Sequence, residues 1–226
     1  MKIAVLGTGS VGRILAARLA ELGHEVVVGT RDVAATLARA AAAGRDEPPF
    51  PAWLAENPGV SLADYAGAAA GAELVVNATN GAGTLAALGQ AGSQNLAGKV
   101  LVDVSNPLDF SAGMPPTLFV KDTDSLGEQV QRAFPDTRVV KTLNTLTGAL
   151  QADPAVLAGG DHTVFVSGDD ADAKQVVTGL LESLGHRDII DLGDITTARG
   201  TELYLPLWLR LWGALGTGLL NIKVVR

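Results

Sequence analysis

The chain has 226 residues, 47% hydrophobic and 18% charged, so it can bury a large core in one or two domains. Its net charge of −7 argues against nucleic acid or an anionic membrane as partner, whereas an anionic small molecule needs only a local positive site. The absence of cysteine excludes disulfides, thiol catalysis, iron–sulfur clusters and Cys-type zinc sites, and the scattered His24, His162 and His186 do not suggest a metal site.

Lys2–Leu6 is a short apolar run of strand type, with no long apolar leader, so the default expectation is a cytoplasmic protein. It leads into Gly7-Thr8-Gly9-Ser10-Val11-Gly12. Val11, Ile14, Leu15, Leu19 and Leu22 then recur at helical spacing, and Gly23 marks the stop. Glu25–Gly29 reads as a second strand. A strand, a glycine turn, a helix and a strand form the context in which G-x-G-x-x-G signals dinucleotide binding. Gly7 permits the tight turn, Gly9 the approach of a pyrophosphate, and Gly12 the packing of helix on strand. The helix start offers free N–H groups and a partial positive charge to phosphate.

Asp32–Ala43 is expected to be helical. Arg45–Gly59, with four prolines, is expected to be a loop or excursion, followed by a short helix over Ala63–Ala70. Glu73–Ala78, Lys99–Val104 and Thr137–Leu143 read as strands. Ser125–Phe134 reads as a helix with a Ser cap and Glu128 at the third position. His162–Val166 is a strand. A helix capped by Asp169 or Asp170 runs to Leu184, Asp188–Leu192 is a strand, and a terminal helical segment starts at Thr197–Glu202. The alternation implies an α/β, Rossmann-type doubly wound, mostly parallel sheet with a small C-terminal helical part. Residues 1–195 would form the NAD(P)-binding domain. Residues 196–226 would pack on it or on a dimer partner. The apolar Leu203–Leu220 is long enough to span a bilayer, but Arg210 and three glycines favour burial in a homodimer.

Ligands of such sheets bind at the carboxyl ends of the strands. The candidates are therefore Gly7–Gly12, Thr30 and Arg31, Thr79, Asn80 and Gly81, Asn106 and Pro107, and Asn144 with Thr145. Asp32 lies at the distance from Gly12 where NAD-binding sites carry an acidic residue. However, Thr30 and Arg31 come first after the strand, and a hydroxyl beside a guanidinium suits the 2′-phosphate of NADP(H). Asp32 is better placed as a helix cap. Lys141 and Asn144 are the only polar pair the sequence suggests for proton transfer. A surface charge and a loop cap are their alternative readings.

Several of these segments together — GTGSVG, VVVGTRD, ELVVNATNG, VDVSNPL, RVVKTLNT, VFVSGDDADAK and LGDITTARGTE — resemble the NADPH-dependent coenzyme F420 reductase family of deazaflavin-linked NADP oxidoreductases. The resemblance covers nearly the whole chain. Its more particular features are Gly-Thr-Arg after the second strand, Val140–Thr145, Gly168–Asp170 and Ala198–Glu202. It departs where the family often has a proline, at Thr79-Asn80-Gly81, and in the length of Arg45–Gly59. It implies that Thr8–Val11 hold the pyrophosphate of NADP(H) and Thr30-Arg31 its 2′-phosphate. Asn80-Gly81 and Asn106-Pro107 would line the ribose and nicotinamide side, with Asn144 by the nicotinamide amide or the second substrate, coenzyme F420. Hydride transfer between two such cofactors needs positioning and exclusion of water, and no catalytic acid–base residue is expected. Reduction of a small carbonyl or imine, with Lys141 as proton relay, and non-catalytic sensing of NADPH remain open on the sequence.

Overall fold

The computed structural model describes residues 1–40 and 47–226. Strand β1 (Lys2–Leu6) alternates strictly: Ile3 and Val5 enter the core on one face of the sheet, Ala4 and Leu6 on the other. Helix α1 (Ser10–Glu21) lays Leu15, Ala16 and Leu19 on the first face, and β2 (Glu25–Thr30) pairs parallel with β1. Helix α2 (Val33–Leu37) is short, and α3 (Phe50–Glu56) precedes β3 (Val60–Asp64) and α4 (Tyr65–Ala70). Then come β4 (Leu74–Asn77), α5 (Thr84–Ala91), α6 (Ser93–Leu96) and β5 (Val100–Asp103). A small antiparallel pair, β6 (Leu108–Asp109) and β7 (Thr117–Leu118), leads to α7 (Leu126–Ala133) and β8 (Arg138–Thr142). The chain ends through α8 (Gly148–Ala152), β9 (Thr163–Ser167), α9 (Ala171–Leu184), β10 (Asp188–Asp191), α10 (Ala198–Leu203) and α11 (Leu205–Leu215).

The main sheet has the order β10-β9-β8-β5-β4-β1-β2-β3. The six strands from β3 to β8 run parallel, and strand order reverses at β1, the switch point of a Rossmann fold. Strands β9 and β10 are parallel to each other but reversed against β8, which β9 meets through only two partners, Lys141↔Ser167 and Thr142↔Val166. Helices α1, α8 and α9 cover one face; α4, α5, α6 and α7 cover the other with a thin layer rich in alanine.

Four expectations need correction. The helix expected over Asp32–Ala43 stops at Leu37, because an alanine-rich run offers little apolar surface to hold it; residues 41–43 lie outside the described residues. Within Arg45–Gly59, of which residues 45 and 46 lie outside the described residues, Phe50–Glu56 is helical. Pro49 and Pro51 stand at the helix start, where no N–H is needed and φ is already helical, and Pro58 lies just past its end. The expected helix Ala63–Ala70 gives its first residues to β3, a polar edge strand, and starts at Tyr65 with Asp64 as cap. The apolar stretch Leu203–Leu220 is no single helix: α11 ends at Gly216 in a left-handed turn, and among the described residues no helix is long and apolar enough to cross a membrane. The chain then runs back to the start of β9, where Thr163 N donates to Ile222 O.

Candidate functional site

The loop between β1 and α1 shows three glycines with different duties. Gly7 has φ +126°, and a Cβ there would lie 2.5 Å from Ala78 O. A Cβ on Gly12 would lie 2.2 Å from Gly7 O. The fold itself therefore requires both. Gly9 has an ordinary extended backbone, and a Cβ there would meet nothing within 4 Å. The space over Gly9 is left open in front of an uncapped helix start, whose first N–H groups, at Ser10, Val11 and Gly12, have no partner within the helix. This is the cradle a pyrophosphate needs.

A cleft of about 440 Å³ opens from this loop along the ends of β2 and β4. Of the candidate residues, Gly7, Thr8, Gly9, Thr30, Arg31, Thr79 and Asn80 line it, whereas Ser10, Val11, Gly12 and Gly81 do not. Two further lining residues, Arg39 and Tyr65, had no sequence signal we could read: Arg39 follows a truncated helix, and Tyr65 follows the strand that was missed. An Arg39 Nη reaches Thr8 Oγ1 at 3.3 Å. Burial raises the Tyr65 phenol above its ordinary range, against the pull of the Arg31 and Arg39 charges that line the same cleft. Asp32 caps α2 by accepting from Ala35 N at 2.9 Å. Thr30 is buried, and its hydroxyl is shared with Thr36 at 2.7 Å. Ser10 donates to Glu47, and Val11 packs toward α8 at Gly148.

Asn80 accepts from Ala82 N and stays exposed at the cleft, while Gly81 is buried. A Cβ at Gly81 would stand 1.9 Å from Asn106 O, so this glycine lets two loops touch. Asn106 and Asn144 are brought together across the strand ends. Asn106 Nδ2 donates to Asn144 O at 2.8 Å, and Asn144 Nδ2 donates to Asn106 Oδ1 at 3.1 Å. They line a separate small hollow of about 70 Å³, with Thr145 and Leu146 on one side and Leu205, Trp208 and Leu209 of the C-terminal helices on the other. Pro107 is buried, and its carbonyl accepts from Phe119 N. Leu143, just before Asn144, is buried with φ 60°, a strained conformation of the kind that clusters at functional sites.

Lys141 is neither a surface charge nor a proton relay. It is 1% exposed, and its three protons go to Asp103 Oδ2 at 2.9 Å, Ser105 O at 2.6 Å and Glu202 Oε1 at 2.9 Å. Burial disfavours its ammonium, but Asp103 and Glu202 overcome that and hold its pKa above the ordinary value. The Ala198–Glu202 motif is likewise a clamp. Arg199 binds both oxygens of Glu128, at 2.8 and 2.6 Å, and Glu202 accepts from Leu126 N and Gly127 N at the start of α7. In Gly168–Asp170, Asp169 accepts from Ile195 N and Asp170 caps α9.

A parallel sheet reversed at β1, with an open glycine loop at that point, defines a Rossmann-type dinucleotide-binding protein. The family model "NADP oxidoreductase coenzyme F420-dependent" matches residues 2–107. The F420-dependent NADP reductase of Methanothermobacter marburgensis is 30% identical over 93% of this chain and 92% of that protein. A crystal structure from Arthrobacter sp. FB24, provisionally described as an F420-dependent NADP reductase, is 65% identical and covers all of both chains with a TM-score of 0.95. The rat Metalloreductase STEAP3 is 32% identical over 92% of this chain, which spans 38% of that longer protein. The chain belongs to the family of coenzyme F420-dependent NADP oxidoreductases.

Proposed function

We propose that the protein transfers a hydride between NADP(H) and the deazaflavin coenzyme F420. The observation that carries this is the pairing of an open phosphate cradle at Gly9 with two arginines, Arg31 and Arg39, that line the same cleft. The cradle takes the pyrophosphate, and Arg31 and Arg39 take the 2′-phosphate, which is why the cofactor is NADP and not NAD. When bound, the nicotinamide and the deazaflavin supply the hydride chemistry themselves. The chain binds, orients and shields. Asn106 and Asn144 hold the nicotinamide side, and Leu205, Trp208 and Leu209 close the hollow against water. Residues 1–195 act as the dinucleotide-binding unit and 196–226 as the closing segment.

Reduction of a carbonyl or imine needs a proton donor. Lys141, raised beside Asn144 as the proton relay, has all three protons bound inside the protein, which does not favour that reading. The exposed apolar residues of α11, Leu207, Trp212 and Leu215, are covered by a second copy in a cytoplasmic homodimer that binds no nucleic acid. The test is to mix the protein with NADPH and oxidised coenzyme F420 and follow the deazaflavin's visible absorbance. Rapid bleaching is the expected result. NADPH binding without bleaching would overturn the reading in favour of another acceptor or a sensor.

A further inference from the structure

One level of the sheet is polar where a buried parallel sheet is normally apolar. Asn77, Asp103 and Lys141 are direct partners across β4, β5 and β8, and all are buried. Asn77 Nδ2 donates to Asp103 Oδ1 at 2.7 Å, and Lys141 takes the other carboxylate oxygen. From the opposite side Glu202 reaches in from α10. It binds Lys141 through Oε1 at 2.9 Å and caps α7 through Leu126 N at 2.8 Å and Gly127 N at 3.0 Å. Gly127 gives the room: a Cβ there would lie 3.2 Å from the Ala198 Cβ. Buried charge is a poor source of stability compared with apolar packing, so this cluster calls for another reason.

Its position supplies one. Asp103 and Lys141 each stand three residues before one of the paired asparagines, Asn106 and Asn144. Asn144 Nδ2 also donates to Thr201 O at 3.2 Å, and Thr201 is the neighbour of Glu202. The orientation of the Asn144 amide is thus set jointly by the end of β8 and by α10. Glu202 ties those two elements together.

We propose that Glu202 is a positioning residue for hydride transfer: by fastening α10 to Lys141 and to the start of α7, it holds the Thr201 carbonyl where it orients the Asn144 amide toward the nicotinamide. This rests on the reading that the nicotinamide lies against the asparagine pair. The substitution Glu202→Gln keeps the volume but aims an N–H donor at donors. Calorimetry with NADP⁺ and with 2′-phospho-adenosine diphosphoribose, the same ligand without nicotinamide, isolates the nicotinamide contribution. In the variant, NADP⁺ weakens roughly 10-fold, one hydrogen bond's worth, while the truncated ligand stays within about twofold of wild type. In an Asn144→Ala background Glu202→Gln adds nothing further, because the amide through which it acts is gone. With coenzyme F420, kcat falls roughly 10- to 100-fold for the same reason, as expected of a small misplacement.

Arg199→Ala loosens the same helix from its partly exposed side and gives a weaker version of this pattern if Glu202→Gln does not fold. Equal losses on both ligands, full additivity with Asn144→Ala, or a wild type that does not distinguish the two ligands would overturn the proposal. A wild type that distinguishes the ligands but does not bleach coenzyme F420 overturns only the acceptor assignment.

Discussion

Replacing each glycine of the first loop by alanine separates folding from binding. At Gly9 the backbone suits any residue and the new methyl meets no protein atom within 4 Å. The cost to stability is that of an alanine at a helix N-cap, about 1 kcal/mol or less. That lowers Tm by about 2–4 °C in a chain of this size. The methyl nevertheless fills the space a pyrophosphate must enter to reach the helix N–H groups. Losing one such charge-assisted bond, about 1.5–3 kcal/mol, weakens NADP⁺ roughly 10- to 100-fold. Gly12→Ala does the reverse. Its methyl would sit 2.2 Å from Gly7 O, and Gly7→Ala adds a disfavoured φ to a 2.5 Å contact with Ala78 O. Overpacking and backbone strain together cost about 3–5 kcal/mol, a large part of a typical domain's 5–15 kcal/mol. Thermal melts and calorimetric titration of the three variants decide the matter. A Gly9→Ala protein that binds NADP⁺ like wild type, or that melts as early as Gly12→Ala, would refute the reasoning.

Arg31→Ala should weaken NADPH roughly 10- to 100-fold and NADH by far less, and Arg39→Ala should show the same preference; kcat/KM for both cofactors measures it, and high salt should erode the wild-type advantage. Thr30→Ala should act through the loss of its bond to Thr36 and so affect both cofactors alike, which the same assay reads. Burial lowers the His186 pKa, so the unfolded chain binds the proton first; stability is full above about pH 6.5 and declines as pH falls below it. Melts between pH 7.5 and 5 should show that decline, and His186→Gln should flatten it. Leu207→Glu with Leu215→Glu should shift light scattering from dimer to monomer while melting stays cooperative.

Much of this was legible in the sequence. The first loop, the Val-rich central strands and the capped helices α7 and α9 announce themselves by local pattern, so their place at the strand ends follows. What was not legible lies in residues whose meaning is non-local. Strand β3 alternates weakly and sits at the edge, so nothing in its composition distinguishes it from a loop. The prolines before α3 look like breakers unless their position at a helix start is known. Arg39 and Tyr65 come to line one cleft only once those two elements fold. One signal was present and passed over. Asp103 closes the apolar run Val100–Val102 and Lys141 follows Val139 and Val140, and a charge at the end of such a central run implies a buried partner.

The short overlap of β8 and β9 has a consequence for the edge of the sheet. Because β9 runs backwards and meets β8 only at its last two residues, Thr163, Val164 and Phe165 continue past the point where β8 stops. At about 3.3 Å per residue they raise a parapet of roughly 10 Å above the carboxyl rim of the sheet. The returning C-terminal tail lies along it, with Asn221 Nδ2 bound to Thr163 O and Val224 N to Thr163 Oγ1. The chain thus builds a raised edge from its own sheet and fastens its own end to it. Lengthening or shortening the two reversed strands would raise or lower that edge, and since neither strand lines the cleft, the phosphate cradle would stay untouched.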